Sequence, residues 1–276
     1  MIGVLRYMKK IAFIGVGNMA SAMIGGITSS GHTAWKDILL YNRHPEKAGR
    51  FAALGAVIAD GIAEVVREAD CVVLAVKPQN YPEVLPEIRA VGDLSGKLFI
   101  SIAAGITTGA VSDALGGNIP VVRALPNTPM LIGKGVSAIC KNEFVSEEAF
   151  RYAKAVFDAS GDTLVIDESE MNRIICVTSS SPAYVFLLIR AMYDAAISQG
   201  LPASGLVDSI CNTVIGSAEL LKSMKKTPDE MISMVASKGG TTERALATFE
   251  ARDFSGIVKD AMQACTDRAD ELGRKS

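Results

Sequence analysis

The 276-residue chain reads as an α/β protein, with an N-terminal Rossmann-type doubly wound sheet followed by an all-helical C-terminal domain. Three observations predict this. Short apolar runs alternate with helical patterns from Lys10 to about Asp167, as in a parallel sheet covered by helices. The first run breaks directly into a glycine turn that opens a helix. After Glu168 no convincing strand remains, and the rest reads as four or five helices. The expected domains are therefore 1–168 and 169–276.

The first strand, Ile11 to Val16, is short, apolar and β-branched, as a buried parallel strand should be. Gly15-Val16-Gly17-Asn18-Met19-Ala20 then fits the G-x-G-x-x-A pattern of a dinucleotide turn. Gly15 permits the tight turn, and Gly17 lets a pyrophosphate approach the backbone. Ala20 lets the helix pack closely on the sheet. Phosphates would lie on the free N–H groups of the following helix, Asn18–Ser29.

The second strand, Ile38–Tyr41, bears on the choice of cofactor. An NAD site carries an acid near its end to hold the ribose 2′-hydroxyl. Here the stretch is Tyr41-Asn42-Arg43-His44, with no acid. Arg43 suits a 2′-phosphate and Asn42 can add a hydrogen bond, which points to NADPH, with NADH possible.

Further strands are expected at Val57–Ala59, Cys71–Ala75, Lys97–Ile102 and Val121–Ala124, with two short ones around Val136–Cys140 and Thr163–Ile166. Helices are expected over Pro45–Leu54, Tyr81–Val91, Thr107–Leu115 and Ser146–Phe157. Ser146 before Glu147-Glu148 is a good cap for the last of these. Ala75, Val76, Lys77 and Pro78 end the fourth strand at the crevice where dinucleotides bind, with Lys77 adding positive charge and Pro78 stopping the strand. Ala103 and Ala104 end the fifth, where small residues would admit a flat nicotinamide ring. Arg123-Ala-Leu-Pro-Asn-Thr-Pro129 closes the sixth, and Asn127 is either a crevice residue or a turn-former.

In the helical half, Met171–Gln199 is long, mostly apolar, and interrupted by Ser179-Ser180-Ser181-Pro182. It is too apolar all round for a lone surface helix and should be buried, preferably against a second subunit. Ser204–Met224, Pro228–Ala236, Thr241–Phe249 and Gly256–Leu272 follow. Between two of them, Ser237-Lys238-Gly239-Gly240-Thr241-Thr242 offers a nest of backbone N–H groups for an anion such as a carboxylate.

Bulk properties narrow the classes. Apolar content of 49% and charge of 21% fit a folded globular protein. A net charge of −2 gives no general attraction for nucleic acid or an anionic membrane. No uninterrupted apolar run approaches a bilayer span, so no transmembrane helix is expected. Met1 to Tyr7 is too short and wrongly ordered for a signal peptide, and reads as an extension or an upstream start. The five scattered cysteines and two histidines form neither a disulfide framework nor a metal site, so no metal is expected and the cytoplasm is the natural home.

Together these stretches resemble pyrroline-5-carboxylate reductases. The resemblance rests on Ile14-Gly-Val-Gly-Asn-Met-Ala20, Asn42-Arg43, Ala75-Val-Lys-Pro78, Ala103-Ala-Gly105, Arg123–Pro129, Ser181-Pro-Ala-Tyr184 and Ser237–Thr242, in the family's order. It implies NAD(P)H-dependent reduction of 1-pyrroline-5-carboxylate to L-proline. It implies a helical domain that interlocks two subunits into a homodimer, sometimes built up into a higher oligomer such as a decamer. The family's substrate loop maps onto Ser237–Thr242, and its ring-nitrogen hydroxyl onto Thr242. Ser179 and Ser181 stand where the family has glycines, Lys238 where it often has proline, and Ile62 where an asparagine often contacts the adenine side. The serines keep open a catalytically weak or silent NADP-binding relative with a regulatory role; reduction of another cyclic imine is a further alternative. A β-hydroxyacid dehydrogenase of similar build should carry a lysine on its long helix, and Met171–Gln199 has none.

Overall fold

A computed structural model describes residues 8–274; the Met1–Tyr7 stretch lies outside the described residues. Eight strands, β1 (Ile11–Ile14), β2 (Ile38–Tyr41), β3 (Val57–Ile58), β4 (Cys71–Leu74), β5 (Leu98–Ser101), β6 (Val121–Leu125), β7 (Gly135–Lys141) and β8 (Gly161–Val165), form one sheet in the order β3-β2-β1-β4-β5-β6-β7-β8. The reversal of strand order between β1 and β4 creates the crevice at their C-terminal ends.

β1, β2 and β4 are covered on both faces, which explains why they are apolar throughout rather than alternating. Ile11 and Phe13 of β1 join the core on one face, with α1 (Asn18–Ser29) and later α6 (Glu147–Asp158). Ala12 and Ile14 join the core on the other, with α3 (Ile62–Glu68), α4 (Tyr81–Arg89) and α5 (Thr108–Ala114). Removing Phe13 from water contributes about 1.5–3 kcal/mol on its own.

Several expectations are corrected. The sheet is not wholly parallel: β6 and β7 run antiparallel, with Arg123 opposite Cys140. Only residues 126–134 join them, a 3₁₀ turn over Thr128–Ile132 closed by Gly133 at φ 70°. That length is too short for a helical crossover, so the chain must turn back. The helix expected over Pro45–Leu54 is a 3₁₀ turn, Pro45–Lys47, followed by the short α2, Gly49–Ala52. Helix α3 has no expected counterpart; it is only seven residues long, and its N-cap, Gly61, offers no side-chain cap.

The structure separates into two compact units. Among the described residues, one comprises 8–180 and 265–274, the other Ser181–Ala264. By compactness the chain divides after Ser180, and residues from Cys265 on return to the first unit. The residues beyond 168 that belong to the first unit are α7 (Met171–Ile174), a π-helical turn over Ile175–Ser179, and the end of the last helix, α12 (Phe254–Arg274). They are held there by a small apolar cluster in which Met171, Ile175 and Ala269 meet Leu125, Ala138 and Cys140. A polar network reinforces it. Buried Arg123 donates to the Asn172 Oδ1 at 2.7 Å, Asn172 donates to Asp270 at 2.8 Å, and Arg123 lies 3.8 Å from Glu168. Glu168 in turn accepts from the Thr108 backbone and hydroxyl, both at 2.7 Å.

The second unit contains α8 (Ser181–Ser198), α9 (Leu206–Met224), α10 (Pro228–Val235), α11 (Thr241–Ala251) and the first part of α12. The π turn absorbs the serine interruption, so Glu168–Ser198 is one helical stretch long and apolar enough to cross a membrane by length and composition alone. The expectation of none considered uninterrupted apolar runs and not a helix continuing through Ser179–Pro182, and length and composition alone do not make this stretch a membrane span. Its apolar side chains are largely uncovered: Phe186 is 63% exposed and Leu187 55%. The expected burial of this helix is not met within the single chain.

Candidate active site

The C-terminal ends of β1, β2 and β4 enclose a cleft of about 330 Å³. Gly15, Val16 and Gly17 form its floor, Tyr41, Asn42, Arg43, His44 and Lys47 one wall, and Ala75, Val76, Lys77 and Asn80 another.

The two motif glycines act differently. Gly15 has φ 97°, and a Cβ there would stand 2.8 Å from the Ala75 carbonyl oxygen, so only glycine fits. Gly17 has open space where a Cβ would point, room that a phosphate needs to approach the backbone. Gly17 is also the N-cap of α1, and that helix has neither a side-chain cap nor an acid in its first turn. Its leading N–H groups are free for an anion, as a dinucleotide pyrophosphate requires. Arg43, Lys47 and Lys77 add positive charge around the same cleft. The residues present therefore fit a dinucleotide.

Arg43 is exposed and its Nη2 lies 2.6 Å from the Glu83 Oε2. The hydrogen bond and charge of Glu83 push the guanidinium pKa further up, so it is a permanent cation. Asn42 is committed elsewhere. Its Oδ1 accepts from the Val16 N–H at 2.9 Å, and its amide donates to the His44 carbonyl at 2.8 Å. These bonds tie Asn42 to the glycine turn, on the wall of the cleft.

Of the other expected cofactor residues, Ala75, Val76 and Lys77 line this cleft, whereas Asn18, Met19, Ala20, Pro78, Ala103 and Ala104 do not form its wall. Ala20 and Ala103 are buried as packing residues. Pro78 opens a 3₁₀ turn after β4. Asn127 is a brace: it accepts from the Val136 N–H at 2.8 Å and donates to the Thr178 carbonyl at 2.9 Å. Tyr81 sits buried under the β4 end, 2.9 Å from the Ser101 hydroxyl, and burial pushes its phenol pKa well up. Glu83 and Glu87, from α4, line the cleft without having been singled out in the sequence. Nothing local marks them, since only tertiary packing of α4 brings Glu83 to Arg43.

In the second unit, Ser237–Thr242 forms a tight turn into α11. Gly239 has φ 74°, and a Cβ on Gly240 would meet the Ser237 Oγ at 2.6 Å, so each glycine has its own reason. The Gly239 N–H donates to the Glu243 carboxylate at 2.7 Å, and the Gly240 N–H to the Ser237 carbonyl at 2.9 Å. Gly239, Gly240 and Thr241 border a shallow depression with Glu243, Arg244 and Ala247. Thr242 is half-buried and does not border it, and Ser237 and Lys238 lie outside it too. The serine positions are also resolved: the Ser179 hydroxyl is buried without a partner among the described residues, and the Cys265 thiol donates to the Ser180 hydroxyl at 3.3 Å. Ile62 forms part of the cofactor cleft. No cluster of metal-ligating side chains exists among the described residues.

A glycine turn at a strand-order reversal, free helix N–H groups and a cationic rim define the class: a nicotinamide-dinucleotide-dependent oxidoreductase of Rossmann type. Residues 10–105 match the family model described as NADP oxidoreductase, coenzyme F420-dependent, and residues 168–272 match pyrroline-5-carboxylate reductase dimerisation. The chain is 36% identical over 267 residues to the pyrroline-5-carboxylate reductase of Escherichia coli, covering 96% of this chain and 99% of that protein. It is 37% identical to that of Haemophilus influenzae, covering 96% and 97%. Its fold is similar to the crystal structure of Plasmodium falciparum pyrroline carboxylate reductase with NADP bound, with a TM-score of 0.88 at 28% identity, covering 96% and 99%. The chain belongs to the pyrroline-5-carboxylate reductase family. The uncovered apolar face of α8 lies inside the dimerisation match, so oligomerisation accounts for it better than a membrane.

Proposed function

We propose that the protein reduces 1-pyrroline-5-carboxylate to L-proline with NADPH, the last step of proline biosynthesis. The observation that carries this reading is the near-full-length likeness to enzymes of that name, in a chain whose cofactor cleft has Arg43 and no acid at the β2 end. The silent-relative alternative is not favoured.

When bound, the reduced nicotinamide supplies a hydride to the imine carbon. The chain's own residues position. Gly15 and Gly17 admit the pyrophosphate to the α1 N-terminus, and Arg43 pairs with the 2′-phosphate. Lys77 adds charge, with Ala75 and Val76 shaping the β4 side, Pro78 turning the chain away behind them, and Ala103 and Ala104, small residues at the end of β5, leaving room for a flat ring. The Ser237–Thr242 turn holds the substrate carboxylate, with Gly239 and Gly240 N–H groups turned from their internal acceptors toward it. The Thr242 hydroxyl accepts from the protonated ring nitrogen and orients the ring. An iminium needs no strong general acid, so alignment is the main catalytic demand.

A functional boundary near 168, with cofactor binding before it and substrate binding and dimerisation after it, is supported by the dimerisation match beginning there. Assembly beyond the dimer, up to a decamer, belongs to the same reading. So does a cytoplasmic location, supported by five cysteines that all remain free thiols. Thr242→Ala tests the substrate half. It should lower kcat/KM for the imine at least about tenfold, the scale of one lost transition-state hydrogen bond, while NADPH binding is unchanged. Unaltered turnover would remove Thr242 from the site.

A further inference from the structure

The sequence lacks an acid at the end of β2, yet the structure supplies one from another element. Glu83 lies in the first turn of α4, and its carboxylate meets Arg43 at 2.6 Å on the rim of the cofactor cleft. Glu87, one turn further along α4, lines the same cleft, and the other titratable or charged groups there are Tyr41, His44, Lys47 and Lys77. Both members of the pair are more than half exposed, so the contact is free to open. A 2′-phosphate must compete with the Glu83 carboxylate for Arg43, and meets its negative charge. A 2′-hydroxyl does neither, and can donate to that carboxylate as it does to the acid of NAD sites.

We propose that Glu83 is a specificity-determining residue of the cofactor cleft: it holds Arg43 when no 2′-phosphate is present, accepts the ribose hydroxyl of NADH, and so narrows the preference for NADPH. The proposal rests on the reading of Arg43 as the 2′-phosphate ligand. Exposed ion pairs of this kind couple weakly, so the effect on the affinity ratio is about twofold to fivefold.

The test is fluorescence titration of the full-length protein with NADPH and with NADH, for the wild type, Glu83→Gln, Glu83→Ala and Arg43→Ala. Both Glu83 variants should raise the ratio of the NADH Kd to the NADPH Kd. A ratio unchanged or lowered in both overturns the proposal. Glu83 sits on an exposed rim, so the variants should fold, and a melting curve for each checks this. Arg43→Ala separates the two readings: an NADPH Kd equal to wild type would remove Arg43 as the phosphate ligand, whereas a weakened one leaves the Glu83 ratio as the deciding result.

Discussion

The Asn42 side chain accepts a hydrogen bond from the Val16 backbone N–H at 2.9 Å, tying the end of one strand to the glycine turn that follows its neighbour. The bond makes Asn42 a support for the whole dinucleotide turn. Asn42→Ala should therefore weaken NADPH and NADH by similar factors, about fivefold, the scale of one lost hydrogen bond. A loss confined to NADPH would show instead that Asn42 touches the 2′-phosphate.

The two motif glycines should fail in different ways. Gly15→Ala forces a side chain against the Ala75 carbonyl in a left-handed backbone, and should lower stability by about 1–3 kcal/mol. Gly17→Ala meets nothing in the protein, so its melting temperature should stay near wild type while cofactor binding is lost. Thermal melts with and without NADPH measure both. Equal destabilisation by the two changes would contradict this division.

Arg123 is 2% exposed and faces Glu168 and Asn172. Glu168→Gln removes the balancing charge and weakens the bonds to Thr108, so a loss of about 1–3 kcal/mol is expected, with partial exposure of Glu168 keeping it below the range of fully buried pairs. Urea denaturation gives the value. A neutral result would mean that the 3.8 Å contact with Glu168 contributes little to holding Arg123.

The Thr227 N–H and hydroxyl hold the Glu230 carboxyl below the ordinary carboxylate range, at the start of α10. Because the folded pKa is depressed, this contribution is complete above the ordinary carboxyl pKa and is lost as pH falls through the folded value. Glu230→Gln should thus be less stable than wild type at neutral pH, with the gap closing in acid. A gap independent of pH would exclude the carboxylate as its source.

Much of the fold was legible because local chemistry dictates it. The apolar runs of β1, β2 and β4 and the cap at Ser146 stand in the structure close to their expected bounds, and the Thr107 hydroxyl accepts from Ala110 at the start of α5. What was not legible depends on contacts distant in sequence. The antiparallel turn into β7 follows from a short link and its partner strand. The return of Cys265 and later residues to the first unit depends on Ala269 finding Leu125 and on Asp270 finding Asn172. At the site, Gly15, Gly17 and Arg43 could be read from one motif and its spacing. Glu83 could not, because α4 delivers it from forty residues beyond Arg43.

Consumption of NADPH, followed by its absorbance on adding 1-pyrroline-5-carboxylate to the full-length protein, is the most direct measurement, with L-proline identified as product. Turnover with proline formed in step with NADPH oxidised is the expected result. No turnover in protein that still binds NADPH would contradict the assigned reaction.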